Sequence, residues 1–186
     1  MIEVIKEKLK YYEAVTIENR YFMCAGVIIP IFEDNGEVFI VLTKRSDKVS
    51  VHRGEVSFPG GMCEDDDSNT LNTALRECYE EIGIKKQDVE IIGRLDDMIT
   101  LTGFLITPYV GIIPYPYKFN INYDEVAYLI FFPLKRLMEV TPGMESADYE
   151  SRFEMVPSIY YNGDRIWGAT CRILMRLKHI LEDGKA

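Results

Sequence analysis

The residues with the clearest chemical potential form a charged run, Arg76-Glu77-Cys78-Tyr79-Glu80-Glu81, that ends at Gly83. In a helix, Glu77 and Glu81 are four residues apart, one turn above each other, and Glu80 lies three residues from Glu77. Each pair of crowded carboxylates costs about 0.2–0.5 kcal/mol of helix stability. A hard cation such as Mg²⁺ or Mn²⁺ would relieve that repulsion. Such an ion can clamp a diphosphate, screen its charge and activate an attacking water.

The same segment has an apolar side opposite the carboxylates. At 100° per residue, the apolar residues that share one side are Leu71, Ala74, Leu75, Cys78 and Ile82. This pattern predicts a helix over about 69–82, which ends at Gly83 because glycine adopts the left-handed conformation of a helix C-terminus. Taken alone, the charged run is also compatible with an ordinary solvated helix face.

Glycines just before this helix favour the interpretation as a site. Phe58-Pro59-Gly60-Gly61 predicts a tight turn at which the backbone can approach a ligand closely, and the Gly61 carbonyl can bind a metal ion. The acidic residues 65–67 follow, where negative charge interacts favourably with the helix N-terminus. That structural role is sufficient to explain at least two of them.

The remaining pattern predicts the elements that position this helix. Asn35-Gly36 predicts a hairpin turn between two apolar strands. Strands are predicted over 23–32, 37–45, 55–58, 89–95, 107–114, 126–132, 153–160 and 164–167. Further helices are predicted over 2–13, from 133 to 138, and over 168–181. Strands interleaved with helices indicate a mixed sheet with helices on its faces.

Composition limits the function further. The chain has 186 residues, 47% of them hydrophobic, and a net charge of −9, which argues against sequence-independent nucleic-acid binding. We expect one domain over 1–186, a cytoplasmic location and no membrane segment. Cys24, Cys63, Cys78 and Cys171 are irregularly spaced, so reduced thiols are expected rather than a zinc site or a disulfide framework.

The run from Arg76 to Ile84 resembles the second half of the Nudix box, R-E-u-x-E-E-x-G-u, where u is apolar. Every fixed position matches. The usual first half, G-x5-E-x7-R-E, would place Gly at 62 and Glu at 68, where the chain has Met62 and Ser68. Counted from Gly61, the pattern is instead G-x5-Asp67-x8-Arg76, with one additional residue and Asp in place of Glu.

This longer loop is similar to that of the coenzyme A pyrophosphatase branch of the Nudix hydrolases. The branch has an upstream signature, L-L-T-x-R-[SA]-x3-R-x3-G-x3-F-P-G-G. The chain differs from it at Val41, a mild change, and at Ser50, where the branch has Arg. The matching positions are Leu42, Thr43, Arg45, Ser46, Gly54 and Phe58-Pro59-Gly60-Gly61. Similarity continues through 107–108, 125–127, 133–134 and 166–170.

The resemblance implies an α/β Nudix fold, a mixed β-sheet in an α/β/α sandwich, with the box at 61–84. It implies Mg²⁺- or Mn²⁺-dependent hydrolysis of the diphosphate of coenzyme A or acyl-CoA. The implied products are 4′-phosphopantetheine, or its acyl form, and adenosine 3′,5′-bisphosphate. The implied metal ligands are Glu77, Glu81, Glu80 and the Gly61 carbonyl, and Arg76 fixes the carboxylates.

Other charged residues are candidates for the substrate pocket. Lys44, Arg45, His52 and Arg53 could contact phosphates, and Lys44, Lys48 or Arg53 could replace the Arg lost at Ser50. Glu125 is a candidate additional ligand or base. For His52, an ordinary loop histidine is an equally good interpretation. Several rings between Tyr109 and Tyr123 could stack on adenine, although packing explains most of them.

Three functions therefore stay open. The first is coenzyme A hydrolysis. The second is hydrolysis of another nucleoside diphosphate derivative, such as NADH, ADP-ribose or a nucleoside triphosphate, which the Ser50 departure favours. The third is a non-catalytic ligand-sensing Nudix domain, which retention of the carboxylates opposes. A small-molecule substrate is expected in each case, and a homodimer is left open.

Overall fold

The structure, a computed structural model, describes residues 1–18, 21–49, 53–149 and 152–183. Its helices are α1 (Ile2–Lys10), α2 (Thr70–Ile82), α3 (Leu134–Glu139) and α4 (Gly168–Asp183), with a 3₁₀ turn at Lys86–Asp88. Its strands are β1 (Met23–Asp34), β2 (Glu37–Arg45), β3 (Val56–Ser57), β4 (Gly60–Met62), β5 (Glu90–Arg94), β6 (Met98–Ile99), β7 (Phe104–Ile112), β8 (Val126–Pro133), β9 (Gly143–Tyr149), β10 (Arg152–Tyr161) and β11 (Asp164–Trp167).

The long apolar strand β1 is the centre of the main sheet, which has eight strands in the described ranges. It pairs in parallel with β7 along its length. On its other side the first half pairs antiparallel with β4, at Val27 with Gly60, and the second half with β2, at Ile31 with Ile40. The start of α2 lies against β1 in the half that pairs with β4, since the Thr70 carbonyl is next to Gly26.

Helices cover both faces of this sheet. On one face, α2 packs through Ala74, Leu75, Cys78 and Ile82 against a cluster that includes Ile28. On the other face, α1 and α4 contribute to a larger apolar cluster with Leu9 and Leu177. The predicted α/β/α sandwich is confirmed. A second sheet in the described residues, β11-β10-β9, lies beside α4. Of the helices described, none is both long and apolar enough to cross a membrane.

The sequence predictions that depend on short-range signals, such as helix limits and turns, mostly agree with the structure. The central helix begins within a residue of its prediction, and both Asn-Gly turns form, with positive φ at Asn35, Gly36, Asn162 and Gly163. The first helix ends at Lys10 rather than at residue 13. The diglycine segment is not only a turn, because Gly60–Met62 pairs with β1 as a short strand. The strands β6 and β9 have no counterpart in the sequence prediction.

The expectation that all four cysteines are reduced is wrong. The structure joins Cys24 and Cys63 in a disulfide, whereas Cys78 and Cys171 are free and buried. The β1–β4 pairing explains the bond: Ala25 faces Met62, so the next pair in register is Cys24 with Cys63. Their Cα atoms lie 5.4 Å apart, the usual spacing for a disulfide. Such cross-strand neighbours are not visible in the sequence spacing.

The close contact of α2 with β1 can be tested at Gly26. A Cβ there would lie 2.0 Å from the Thr70 carbonyl oxygen and 3.1 Å from the Ala74 nitrogen, both backbone atoms that cannot turn aside. We expect Gly26→Ala to lower the free energy of unfolding by about 3 kcal/mol, measured by urea denaturation. The control is Gly143→Ala, whose nearest neighbours are 3.9 Å away. Equal stability of the two variants would contradict the contact.

Candidate active site

Both ends of α2 are fixed locally, which sets the direction of its carboxylates. The Asn69 side chain accepts the Asn72 N–H at 3.0 Å and caps the N-terminus. At the C-terminus Gly83 is left-handed, with φ 76°, and its N–H donates to the Tyr79 carbonyl at 2.9 Å. With its apolar stripe buried against the sheet, α2 places the Glu77 and Glu81 carboxylates beside β4.

Arg76 is the centre of an ionic network beside β4. Its guanidinium donates to both oxygens of Asp67, at 2.9 and 3.2 Å. The same group donates to Glu77 Oε1 at 2.9 Å, to Glu80 Oε2 at 3.1 Å and to the Met62 carbonyl at 3.1 Å. These bonds tie the loop, β4 and the helix together through one side chain. Bidentate pairing of this kind favours Arg over Lys.

Asp67 has a role that the sequence analysis missed. Its carboxylate accepts from Arg76, from the Glu64 N–H at 3.0 Å and from the Thr73 hydroxyl at 2.9 Å. Hydrogen bonds from the Arg76 guanidinium, more than any other contact, hold the pKa of this carboxyl well below its usual range. The available signal was the match of Asp67 to the acidic position of the box, which did not say what the side chain contacts.

Gly61 lies directly against Glu77. A Cβ at this position would come within 2.5 Å of the Glu77 carboxylate, so no larger residue fits without displacing it. The preceding Gly60 places its backbone N–H against the carboxylate of Glu81, which favours the charged form of that group. The short strand β4 therefore presents backbone, and no side chain, to both carboxylates at its glycines.

Glu81 is a buried carboxylate with an incomplete set of partners. Its exposed fraction is 3%, and its Oε2 atom has no hydrogen-bond partner among the described residues. The pKa of Glu81 is raised to about 8, chiefly by burial and also by the charges of Glu77 and Glu125, while Arg45 and the Gly60 N–H oppose the shift. The closest approach of Arg45 is 3.9 Å, from Nη1 to Oε1. Burial is also the main reason why the pKa of Glu77 is raised.

The structure thus groups some predicted site residues and separates others. Glu125 contributes its charge to both Glu77 and Glu81, and it accepts from the Asn122 amide at 3.1 Å. The Glu80 side chain is half-exposed and accepts from Arg76, which also donates to Glu77. Hereafter the "acid group" means Glu77, Glu81 and Glu125.

The predicted phosphate-binding residues have different locations. Lys44 forms an ion pair of 2.8 Å with Asp164, which also accepts the Tyr128 hydroxyl, so the Lys44 ammonium already has an anionic partner. Arg45, the next residue, approaches Glu81. Arg53 is exposed and donates to the Val49 carbonyl at 2.7 Å. His52 and Ser50 lie outside the described residues.

The tyrosine-rich segment is largely packed within the protein. Tyr117 donates its hydroxyl to Asp88 at 2.8 Å and its ring lies against Phe119. The Tyr115 ring stacks on Phe32 with centroids 4.2 Å apart. These contacts agree with packing as the role of most rings in the segment.

The side chains around β4 and α2 suit a divalent cation. In the described ranges, no three His, Cys, Asp or Glu side chains already surround a single point. The chemistry of the donors nevertheless fits a hard cation: an unpartnered, buried oxygen of Glu81, the Glu77 carboxylate, and backbone brought close at Gly61. Glu77, Glu81 and the Gly61 carbonyl are the groups that would hold it.

Comparison with known proteins identifies the family. A model of the NUDIX domain matches residues 23–157. The chain belongs to the Nudix hydrolase family. It is 35% identical over 162 residues to a Nudix hydrolase of Yersinia enterocolitica named NudL, over 82% of this chain and 78% of that protein. This Nudix hydrolase is a pyrophosphatase that acts on phosphorus-containing anhydrides, with nucleoside diphosphate derivatives as its substrate class. Members of the family generally use divalent metal ions.

Solved structures share the fold of this Nudix hydrolase. An Ap4A hydrolase from C. elegans superimposes with a TM-score of 0.51 at 15% identity, over 60% of this chain and 80% of that chain. The NUDIX domain of NrtR from Shewanella oneidensis, solved with ADP ribose, gives a TM-score of 0.50 at 16% identity, over 71% and 81% of the two chains. At these identities the likeness concerns the fold alone.

The Arg76–Asp67 contact gives one prediction for this Nudix hydrolase. Asp67→Asn should lower the free energy of unfolding by about 2 kcal/mol near neutral pH, because a charge-assisted bidentate contact is lost. The folded-state pKa of Asp67 is depressed, so its contribution is present above the unfolded pKa and is lost as pH falls through the folded value. Urea denaturation at several pH values should show wild type and variant converging in acid. The exposed Asp66→Asn is the control, and equal destabilisation by both would contradict the assignment.

The buried Glu81 gives a prediction of opposite sign. Its folded-state pKa is raised, so between about pH 4.5 and 8 the folded protein binds more protons than the unfolded chain, and stability falls as pH rises. With chelator present, Glu81→Gln should remove this fall. The free energy of unfolding of the variant, measured relative to that of wild type, should therefore be on the order of 3 kcal/mol higher at pH 8 than at pH 4.5. Urea denaturation measures it, with the half-exposed Glu80→Gln as control. Parallel pH profiles for wild type and Glu81→Gln would contradict it.

Proposed function

We propose that this Nudix hydrolase cleaves the diphosphate of coenzyme A or acyl-CoA. The products are 4′-phosphopantetheine, or its acyl form, and adenosine 3′,5′-bisphosphate. The observation that carries the proposal is the Thr43-x-Arg45-Ser46 signature, together with Asp67 and the one additional residue between it and Arg76. Both features are similar to the coenzyme A branch, and both have defined contacts with the site.

The contacts of the signature residues support a role at the diphosphate. Ser46 is buried, and its N–H donates to the Glu125 carbonyl at 2.8 Å, which attaches the signature to the acid group. Arg45 donates its N–H to the Glu55 carbonyl at 2.9 Å while its side chain approaches Glu81. The buried Thr43 hydroxyl bonds Ser57, at 3.2 Å to the carbonyl, and thereby fixes β2 to β3.

The residues of the site have distinct tasks in hydrolysis. Glu77, Glu81 and the Gly61 carbonyl would hold Mg²⁺ or Mn²⁺, with Glu80 near enough along the helix to act as a further ligand. The ion, when bound, supplies charge screening for the diphosphate oxygens and a lowered pKa for the attacking water. Arg76 keeps Glu77 in place. Glu125, whose charge acts on both metal-binding carboxylates, would accept the proton from water.

Arg45 is the cation best placed to contact a substrate phosphate. It is the one predicted phosphate-binding side chain, among the residues the structure describes, that approaches the acid group. A planar guanidinium suits bidentate recognition of phosphate oxygens. Lys44 is already paired with Asp164.

A second candidate function is hydrolysis of another nucleoside diphosphate derivative. Coenzyme A carries a 3′-phosphate in addition to its diphosphate, so it demands more cationic contacts than ADP-ribose does. The chain has Ser50 in place of the branch Arg, and the Lys44–Asp164 ion pair removes one candidate replacement. These two observations favour a substrate with fewer phosphates. A ligand-sensing role is disfavoured because Glu77, Glu80 and Glu81 are all retained.

Side-by-side turnover decides between the substrates. With Mg²⁺ or Mn²⁺, we expect kcat/KM for coenzyme A or acetyl-CoA to exceed that for NADH, ADP-ribose and nucleoside triphosphates by about tenfold or more. Chromatography of the products should give 4′-phosphopantetheine and adenosine 3′,5′-bisphosphate. Negligible turnover of coenzyme A with fast turnover of another compound would refute the substrate assignment.

The same assay tests catalysis itself. Glu81→Gln should reduce kcat by about a hundredfold or more, because charge stabilisation at the diphosphate is lost. Glu37→Gln, an exposed change at the far end of β2, is the control and should keep wild-type activity. Unchanged metal-dependent turnover in Glu81→Gln would overturn the catalytic assignment and reopen the sensing role.

A further inference from the structure

The Cys24–Cys63 disulfide adjoins β4, the strand that lies beside the Glu77 and Glu81 carboxylates. Cys63 follows β4 directly, and its N–H donates to the Cys24 carbonyl at 2.9 Å, which continues the β1–β4 ladder by one residue. The bond therefore closes the end of β4. Gly61, which lies against the Glu77 carboxylate, is only two residues away.

Apart from the disulfide, β4 is held by backbone contacts: its pairing with β1, the Arg76 bond to its Met62 carbonyl at 3.1 Å, and the approach of the Glu81 carboxylate to the Gly60 N–H. The strand has three residues and three register pairs with β1, and its two glycines have no side chain to pack. Met62, the third residue, has an exposed side chain. Glycine also loses the most conformational freedom on ordering. The disulfide consequently adds a covalent restraint to a segment that is otherwise held through its backbone.

The loop after Cys63 connects the disulfide to α2 through hydrogen bonds. Glu64, the next residue, donates its N–H to the Asp67 carboxylate, and Asp67 N–H donates to the Glu64 carbonyl at 3.0 Å. Asp67 holds Arg76, which in turn holds Glu77. A change at Cys63 thus reaches Glu77 by two routes: through β4 to Gly61, and through the loop to Arg76.

Solvent can reach this disulfide, and the other cysteines are shielded. Cys24 is exposed and Cys63 is partly exposed. Cys78 and Cys171 are fully buried, and burial raises the pKa of both thiols, that of Cys171 to about 11. Thiol chemistry depends on thiolate and on access, so a reagent in solution will act at Cys24–Cys63 and spare the buried pair.

We propose that Cys24–Cys63 is a thiol–disulfide exchange site that sets the metal affinity of this Nudix hydrolase according to the redox state of its surroundings. The reactant is a dithiol reductant. Its thiolate attacks one sulfur of the pair, forms a mixed disulfide and displaces the other cysteine. Its second thiol then attacks the mixed disulfide, so the dithiol leaves oxidised. Two electrons and two protons pass to Cys24 and Cys63, which become thiols.

The oxidised protein is the form with the higher metal affinity. With the bond intact, Gly60 and Gly61 are held against the carboxylates, and no ordering is needed when the ion binds. After reduction, β4 must be ordered at the moment of binding, which weakens the apparent affinity. Because the backbone contacts of β4 remain, only part of its order is lost, and a loss equivalent to ordering about one residue corresponds to about fivefold in the dissociation constant. This step rests on the proposed divalent-metal site, but not on coenzyme A as the substrate.

The first measurement is a count of reactive thiols in the folded, full-length protein. Oxidised protein should show no thiol reactive to Ellman's reagent under native conditions. Treatment with dithiothreitol, followed by its removal under nitrogen, should expose two. Peptide mapping should place them at Cys24 and Cys63. Protein in which these two cysteines are unlinked and cannot be linked by mild oxidation would overturn the proposal.

The second measurement is direct binding of Mn²⁺, followed by electron paramagnetic resonance without substrate. The dissociation constant should rise about fivefold on reduction in wild type. The Cys24→Ser/Cys63→Ser variant should have the weaker value under both conditions. Cys171→Ala, which retains the disulfide, should respond like wild type. Equal Mn²⁺ affinity of oxidised and reduced wild type would refute the switch.

These readouts keep the two proposals distinguishable. A redox-dependent Mn²⁺ affinity without coenzyme A turnover would preserve the exchange site and remove the substrate assignment. Coenzyme A turnover with redox-independent Mn²⁺ affinity would do the reverse. Hydrogen exchange at residues 60–67 gives a third readout, because faster exchange on reduction should be confined to that segment and absent from the double serine variant.

Discussion

The close approach of α2 to β1 and β4 is the contact on which the rest of the site depends. Only glycine fits at Gly26, where the helix backbone is nearest, and at Gly61, where the Glu77 carboxylate is nearest. The apolar stripe of α2, with Ala74 and Cys78 fully buried, draws the helix to this distance. Burial of that stripe takes Glu81 and most of Glu77 out of water, while Glu80 stays half-exposed.

Those carboxylates are costly to bury, and the structure offsets the cost only in part. Glu81 is nearly inaccessible, and its cationic neighbour Arg45 is 3.9 Å away. A buried charge without complete partners destabilises a fold, and such groups concentrate at functional sites. Arg76, by contrast, has full bidentate pairing with Asp67. One arginine therefore secures the structure, while the other leaves a carboxylate free for a ligand.

The short strand β4 contacts both the Arg76 network and the buried Glu81 carboxylate. Its glycines touch the carboxylates, its Met62 carbonyl accepts from Arg76, and its end is closed by the disulfide. A segment of three residues has little stability of its own, since most strand stability comes from packing of side chains. Its geometry is therefore set by its neighbours: β1 on one side, α2 above, and Cys24 at the end.

The sequence by itself determined what local chemistry controls. The limits of α2 follow from its periodicity, its Asn69 cap and Gly83, and the two hairpin turns follow from Asn-Gly, because these signals act within a few residues. The same pattern named Arg76 and the three glutamates. Tertiary structure decided which partners these residues have: Asp67 for Arg76, Asp164 for Lys44, Glu81 for Arg45 and Cys63 for Cys24. Strand pairing and helix packing bring these residues together. The spacing of the residues along the chain therefore does not predict that they are in contact.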